Sequence, residues 1–176
     1  MRGLATAERI RAFLRRLGTA TSEPTTLYVT GGATAVLLGW RDSTIDLDIK
    51  VVPDDVVLRA IPALKEQLML NVELASPDLF LPVRPGWEDR SPWETSEGPL
   101  TVRHFDLVAQ ALGKIERGHH RDLVDVAELF GRGLVTAIDV QRELDFVEAE
   151  LYRFPAVDPA SLRQAVADAI ERFAPR

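Results

Sequence analysis

The feature that most constrains this chain is one contiguous block, residues 26–52, TLYVTGGATAVLLGWRDSTIDLDIKVV. Thr26 to Thr30 reads as a short buried strand that runs into Gly31–Gly32. Ala33 to Leu38 reads as an apolar helix ending near Gly39, and Arg41-Asp42-Ser43 as a polar turn. From Thr44 to Val52 the residues alternate, with Ile45, Leu47, Ile49 and Val51 on one face and Asp46, Asp48 and Lys50 on the other. Pro53 stops that strand. Side chains two apart on a strand share a face, which makes Asp46 and Asp48 a carboxylate pair about 6–7 Å apart at the backbone. Such a pair repels itself unless something positive lies between. Magnesium or manganese suits that place, as a hard cation that takes carboxylate and phosphate oxygen. The glycines supply a matching half, because backbone N–H groups without a Cβ in the way approach a phosphate closely at the start of a helix. The alternative reading makes Asp46, Asp48 and Lys50 simply the wet face of an edge strand.

Composition narrows the surroundings. The chain has 176 residues, enough for a sizeable core, and no cysteine, which excludes a disulfide framework, a cysteine nucleophile and any thiolate-bound metal. A formal charge of −6 argues against a protein that coats nucleic acid. The acidity is uneven, since Arg2, Arg9, Arg11, Arg15 and Arg16 face only Glu8 in the first twenty residues. Ile10, Phe13, Leu14 and Leu17 recur there at helical spacing, with Gly18 as the stop. The arginines point away from that stripe, as a solvated face or as a platform for RNA. No apolar run reaches the roughly 20 residues that span a bilayer, and no secretory signal is evident, so a cytoplasmic protein is expected.

Downstream, Asp54 and Asp55 stand as helix-start residues before Val56 to Met69, with Pro62 expected to kink or divide that helix. Asn71 to Ala75 and Leu100 to Phe105 read as third and fourth strands. Between them, Ser76 to Pro99 holds five of the eleven prolines together with Trp87 and Trp93, and reads as a long functional loop or lid. From Asp106 to the end the periodicity is helical, with stripes at Leu107 to Ile115, Leu123 to Phe130, Thr136 to Tyr152 and Ser161 to Phe173. An α+β chain follows, with a mixed sheet of about four strands flanked by helices and a C-terminal helical section. Residues 1–105 form its core and 106–176 complete the site, as one compact unit.

The glycine block resembles the nucleotidyltransferase superfamily, the DNA polymerase β-like fold. The match is Val29-Thr30-Gly31-Gly32 followed by Ile45-Asp46-Leu47-Asp48-Ile49, with Thr30 standing where many members carry an apolar residue. A second stretch, QALGKIERGHHRDLVD over Gln110 to Asp125, is similar to the lysine and Arg/Lys-x-Asp region of the AbiEii-like and MenT-like branch. That branch is associated with toxin–antitoxin systems and tRNA modification. The resemblance implies that Asp46 and Asp48 hold Mg²⁺ or Mn²⁺ and that Gly31 and Gly32 cradle the phosphates of a bound NTP. It also implies that Lys114 touches nucleotide phosphate while Asp122 orients the lysine or the site. Implied too are transfer of a nucleoside monophosphate to a hydroxyl of tRNA or protein, and a cognate antitoxin as partner. A catalytically degenerate nucleotide- or partner-binding protein of the same fold is the other reading.

Residue chemistry adds detail. Lys114 is one of only three lysines and borders the apolar stripe, where its stem packs and its ammonium reaches a cleft or merely snorkels. Asp122 also suits a helix start, and Asp125 lies one turn on and could replace it. Candidates for a third carboxylate are Glu73, Asp78 and Asp106. His119 and His120 read as a solvated turn, and Trp87 and Trp93 either stack on a base or plug a core edge.

Overall fold

The computed structural model describes residues 3–53 and 57–175, so Arg2 and the expected helix start at Asp54, Asp55 and Val56 lie outside it. The protein is mixed α and β, and the chain forms two compact units. One comprises residues up to Ser76 together with Ser91–Phe105, and the other Pro77–Arg90 together with Asp106–Arg176.

The first unit is built on a sheet. After a two-residue strand β1 (Ala5–Thr6), helix α1 (Ala7–Ala20) buries Ile10, Phe13, Leu14 and Leu17 completely. Gly18 does not stop this helix. It is buried within it, and a Cβ there would overlap the backbone and side chain of Glu97, so the glycine serves close packing. Strand β2 (Thr25–Thr30), helix α2 (Gly31–Leu37), the short β3 (Ser43–Thr44) and β4 (Asp46–Val52) then follow. The alternating strand expected from Thr44 is thus interrupted: Ser43–Thr44 pairs antiparallel with Ala5–Thr6, and Ile45 between the two strands is 60% exposed. Leu47, Ile49 and Val51 do turn into the core, with Asp46, Asp48 and Lys50 half-buried on the other face.

Helix α3 (Ile61–Gln67) starts later than the periodicity suggested, and Pro62 stands in its first turn, where its missing N–H costs nothing, rather than kinking it. Strand β5 (Asn71–Leu74) comes next. The stretch read as a loop instead contains a short helix α4 (Trp87–Arg90) in the second unit and a strand β6 (Trp93–Glu97) in the first. β7 (Leu100–His104) completes a five-stranded sheet of order β5-β4-β2-β7-β6. β2 pairs antiparallel with β4 and parallel with β7, β4 pairs parallel with β5, and β6 pairs antiparallel with β7. Periodicity missed β6 because WETSE carries almost no apolar signal: it is an edge strand, held by backbone pairing, with Trp93 62% exposed. At the opposite edge, Lys65 Nζ donates to the carbonyl of Val72 at 2.7 Å and so covers one acceptor of β5.

Among its described residues the second unit carries, besides α4 and two 3-10 turns, the α-helices α5 (Leu107–Arg117), α6 (His120–Gly131), α7 (Ala137–Glu150) and α8 (Pro159–Phe173). Ala111, Leu112, Ile115, Val126, Phe130, Val140, Leu144 and Val166 form buried stripes on them. The helix ends are chemically specified. Asp106 caps α5 by accepting from the Val108 N–H at 3.0 Å, and Gly118 ends that helix in the left-handed region at φ 64°. Thr136 and Asp139 form a capping box on α7, and Asp158 accepts from Ser161 N–H ahead of Pro159 on α8. Among the described residues no helix is long and apolar enough to cross a membrane.

Candidate functional site

The sheet unit holds four of the six residues singled out in sequence: Gly31, Gly32, Asp46 and Asp48. β2 carries the chain to Thr30, whose cross-strand partner on β4 is Asp48. The next residue, Gly31, takes φ +63°, a conformation that costs an L-residue about 1–2 kcal/mol. Gly31 also leaves room for its neighbour: a Cβ there would overlap the Asp48 carboxylate at Oδ2. Gly32 has ordinary backbone, but a Cβ would overlap Thr44 Oγ1 and lie 3.0 Å from an Arg41 guanidinium nitrogen. Both glycines are therefore demanded by close approach, one of a carboxylate and the other of a hydroxyl beside a guanidinium.

Asp46 stands opposite Asn71 and Asp48 opposite Glu73 across the parallel β4–β5 pair. The Asn71 amide donates to Asp46 Oδ1 at 2.6 Å and to Glu73 Oε1 at 2.9 Å. Four polar side chains thus occupy two alternate rungs on one face of the sheet. A hard divalent cation fits this donor set: two half-buried carboxylates on one strand face and no soft ligand. Magnesium is commonly held by one or two carboxylates with water and substrate phosphate filling the rest, and Asp46 and Asp48 are the residues that would hold it. Among the described residues, no group of three or more His, Asp or Glu side chains is arranged to hold a metal.

Of the candidates for a third carboxylate, Glu73 is exposed and bonded to Asn71. Asp78 lies in the other unit, in a 3-10 turn over Pro77–Leu79. Asp106 is in that unit as well, almost completely buried, where it caps α5 and pairs with Arg90 at 2.6 Å. Those two contacts account for its burial.

Lys114 and Asp122 belong to the helical unit. The Lys114 side chain is only 5% exposed, and its ammonium lies 2.6 Å from Asp125 Oδ2 and 3.6 Å from Asp122 Oδ1. Asp125 is fully buried, so of the two aspartates it is the closer and better-shielded partner of the lysine. Asp122 in turn accepts a two-pronged bond from Arg117, Nε to Oδ2 at 3.1 Å and Nη2 to Oδ1 at 2.8 Å. Burial pushes the Asp122 carboxyl up. The Arg117 bond and charge, with the charges of Lys114 and His119, outweigh it and hold the group below the usual carboxylate range. His119 and His120 are exposed at the start of α6, as a solvated turn requires.

Two further clusters had no place in the motif reading. His104 is 1% exposed in the sheet unit, with Nε2 3.0 Å from Glu94 Oε2 and Nδ1 3.4 Å from Thr34 Oγ1. The His104 hydrogen bond holds Glu94 below the usual carboxylate range; burial opposes this, while the charges of His104 and Arg11 reinforce it. Alternation was the signal for His104, because Leu100, Val102 and His104 share the inward face of β7. In the helical unit, Glu143 is fully buried on α7 and accepts from both the backbone and the side chain of Arg84. The basic face of α1 is partly committed as well. Arg9 donates to the carbonyls of Leu4, Leu68 and Met69, Arg16 to Gln67 at 3.1 Å, and Arg11 lies 3.9 Å from Glu94. Trp93 is exposed, its indole N–H donating to Ser96, whereas Trp87 is half-buried in the other unit.

No family model matches this chain, and no curated protein or solved structure matches it either.

Proposed function

We propose that this protein is a metal-dependent nucleotidyltransferase that moves a nucleoside monophosphate from an NTP to an acceptor hydroxyl. The observation that carries the reading is the carboxylate pair Asp46 and Asp48 on one face of β4, with the Asp48 carboxylate against Gly31 at the strand-to-helix turn. In the reaction the acceptor oxygen bonds to the α-phosphorus, the bond from that phosphorus to the bridging oxygen of pyrophosphate breaks, and the acceptor proton leaves to solvent or a base. Bound Mg²⁺ or Mn²⁺ would neutralise charge on the phosphates and the leaving group. Asp46 and Asp48 would hold the cation, and Gly31 and Gly32 keep the turn beside them clear of side chains. The family resemblance also implies a phosphate contact for Lys114 and an orienting role for Asp122, both residues of the helical unit. Asp125 at 2.6 Å, nearer than Asp122 at 3.6 Å, is the aspartate that holds the Lys114 ammonium. The acceptor is a tRNA end or a protein side chain, and toxicity restrained by an antitoxin belongs to the same proposal.

The test is incubation of the protein with labelled NTPs, Mn²⁺ and total tRNA or cell protein, alongside Asp46→Asn and Asp48→Asn. Metal-dependent label transfer that both substitutions abolish is the expected result. A second reading, a nucleotide- or partner-binding member without turnover, is favoured by the hydrogen bond that ties Glu73 to Asn71. It predicts nucleotide binding with no label on any acceptor.

A further inference from the structure

Asn71 played no part in the motif argument, yet it touches more of the acidic face than any candidate third carboxylate does. Its single amide nitrogen commits both protons, one to Asp46 Oδ1 at 2.6 Å and one to Glu73 Oε1 at 2.9 Å. The sheet register produces this arrangement. Asn71 faces Asp46 across the parallel β4–β5 pair, and Glu73 stands two residues on along the same strand face. We infer that Asn71 is the positioning residue for the Asp46 carboxylate in cation binding, and that Glu73 acts through Asn71 rather than as a ligand. This rests on Asp46 and Asp48 being the cation-holding pair proposed above.

Three physical points carry the inference. A neutral amide orients a carboxylate without cancelling its charge, so Asp46 keeps the charge that attracts a cation; a lysine in that place would compete with the metal. An amide has its second N–H fixed once the first is placed, so an acceptor at Glu73 locks the plane of the Asn71 side chain and with it the Asp46 rotamer. The Asn71 nitrogen also stands between Asp46 and Glu73, which accounts for the three carboxylates of β4 and β5 not forming a three-ligand group.

The experiment is Mn²⁺ titration of the nucleotide-free full chain, following free Mn²⁺ by electron paramagnetic resonance, with thermal unfolding of each variant in parallel. Asn71→Ala is expected to weaken Mn²⁺ binding about 10- to 100-fold, the usual effect of losing a group that orients a metal ligand. Glu73→Gln keeps an oxygen that accepts from Asn71 and should stay within about twofold of wild type, whereas Glu73→Ala loses it and should weaken binding several-fold. The Glu73 pair decides the matter even if Asn71→Ala fails to fold, because Glu73 is exposed on an edge strand. Asn71→Ala that lowers thermal stability without moving Mn²⁺ affinity overturns the inference and leaves the Asp46–Asp48 reading standing. So does Glu73→Gln losing as much affinity as Asp48→Asn, which would make Glu73 a ligand. Wild-type protein that binds no Mn²⁺ overturns the cation-binding pair and this inference with it.

Discussion

The acidic face of β4 and the Lys114 cluster of the helical unit are both built from aspartates at short spacing, but they neutralise charge differently. Asp125 meets a full positive charge at 2.6 Å in a fully buried position, and Asp122 meets the fork of Arg117. Asp46 meets the neutral amide of Asn71 and remains half-buried. A buried carboxylate needs a counter-charge, because desolvation is too costly otherwise, and the helix pair α5–α6 carries one inside its own packing. A half-buried carboxylate on a sheet face needs none to fold. The same residue type is therefore met by a charged partner inside one unit and, at Asp46, by a neutral amide on the half-buried sheet face of the other.

Five substitutions would sharpen or break that contrast. The largest expected effect is on chemistry: Asp46→Asn or Asp48→Asn should lower label transfer on the order of a thousandfold, the equivalent of losing several kcal/mol of metal-borne stabilisation. Asp46→Asn should not lower the unfolding free energy by more than about 1 kcal/mol, since the Asn71 amide it faces is neutral and half-buried. Asp125→Ala should do the reverse, costing about 3–5 kcal/mol in chemical denaturation because it strands the Lys114 ammonium. If Asp46→Asn destabilised the protein as much as Asp125→Ala, the distinction between the two clusters would be gone.

Gly31→Ala should cost at least about 1–2 kcal/mol from its positive φ alone. It should also impair Mn²⁺ binding, because the new methyl displaces the Asp48 carboxylate. The smallest effect expected is in pH dependence. Glu94 sits below its ordinary value of 4.5, so its contribution is fully present above that value and is lost as pH falls through the lowered one. Unfolding followed from neutral pH downward should show a shallower acid-side loss in Glu94→Gln than in wild type. An unchanged acid limb would mean that the His104–Glu94 contact does not differ between folded and unfolded chains.

Legibility in sequence varied with the kind of interaction. The glycine block was readable because its signals are local: β2 and α2 lie within a residue or two of their expected ends, and Leu47, Ile49 and Val51 point inward as alternation requires. The four C-terminal helices were readable for the same reason, each carrying an apolar stripe with a cap or glycine at its ends. Ile45 was misjudged because alternation takes no account of a strand break, and the pairing of β3 with β1 is made by residues nearly forty positions apart. β6 was invisible because an edge strand needs few apolar side chains when β7 supplies its backbone partners.

At the candidate site the same division holds. The types and spacing of Asp46, Asp48, Gly31 and Gly32 are properties of the sequence, and so is the hard-ligand chemistry that follows from carboxylates in a chain without cysteine. Tertiary structure alone decided which side chain shares each rung. It put Asn71 rather than Glu73 against Asp46, placed Asp125 closest to Lys114, and sent Asp106 to a helix cap. Periodicity reports which way a side chain faces, whereas the partner it meets depends on strand register and helix packing, which are set by residues far apart in the chain.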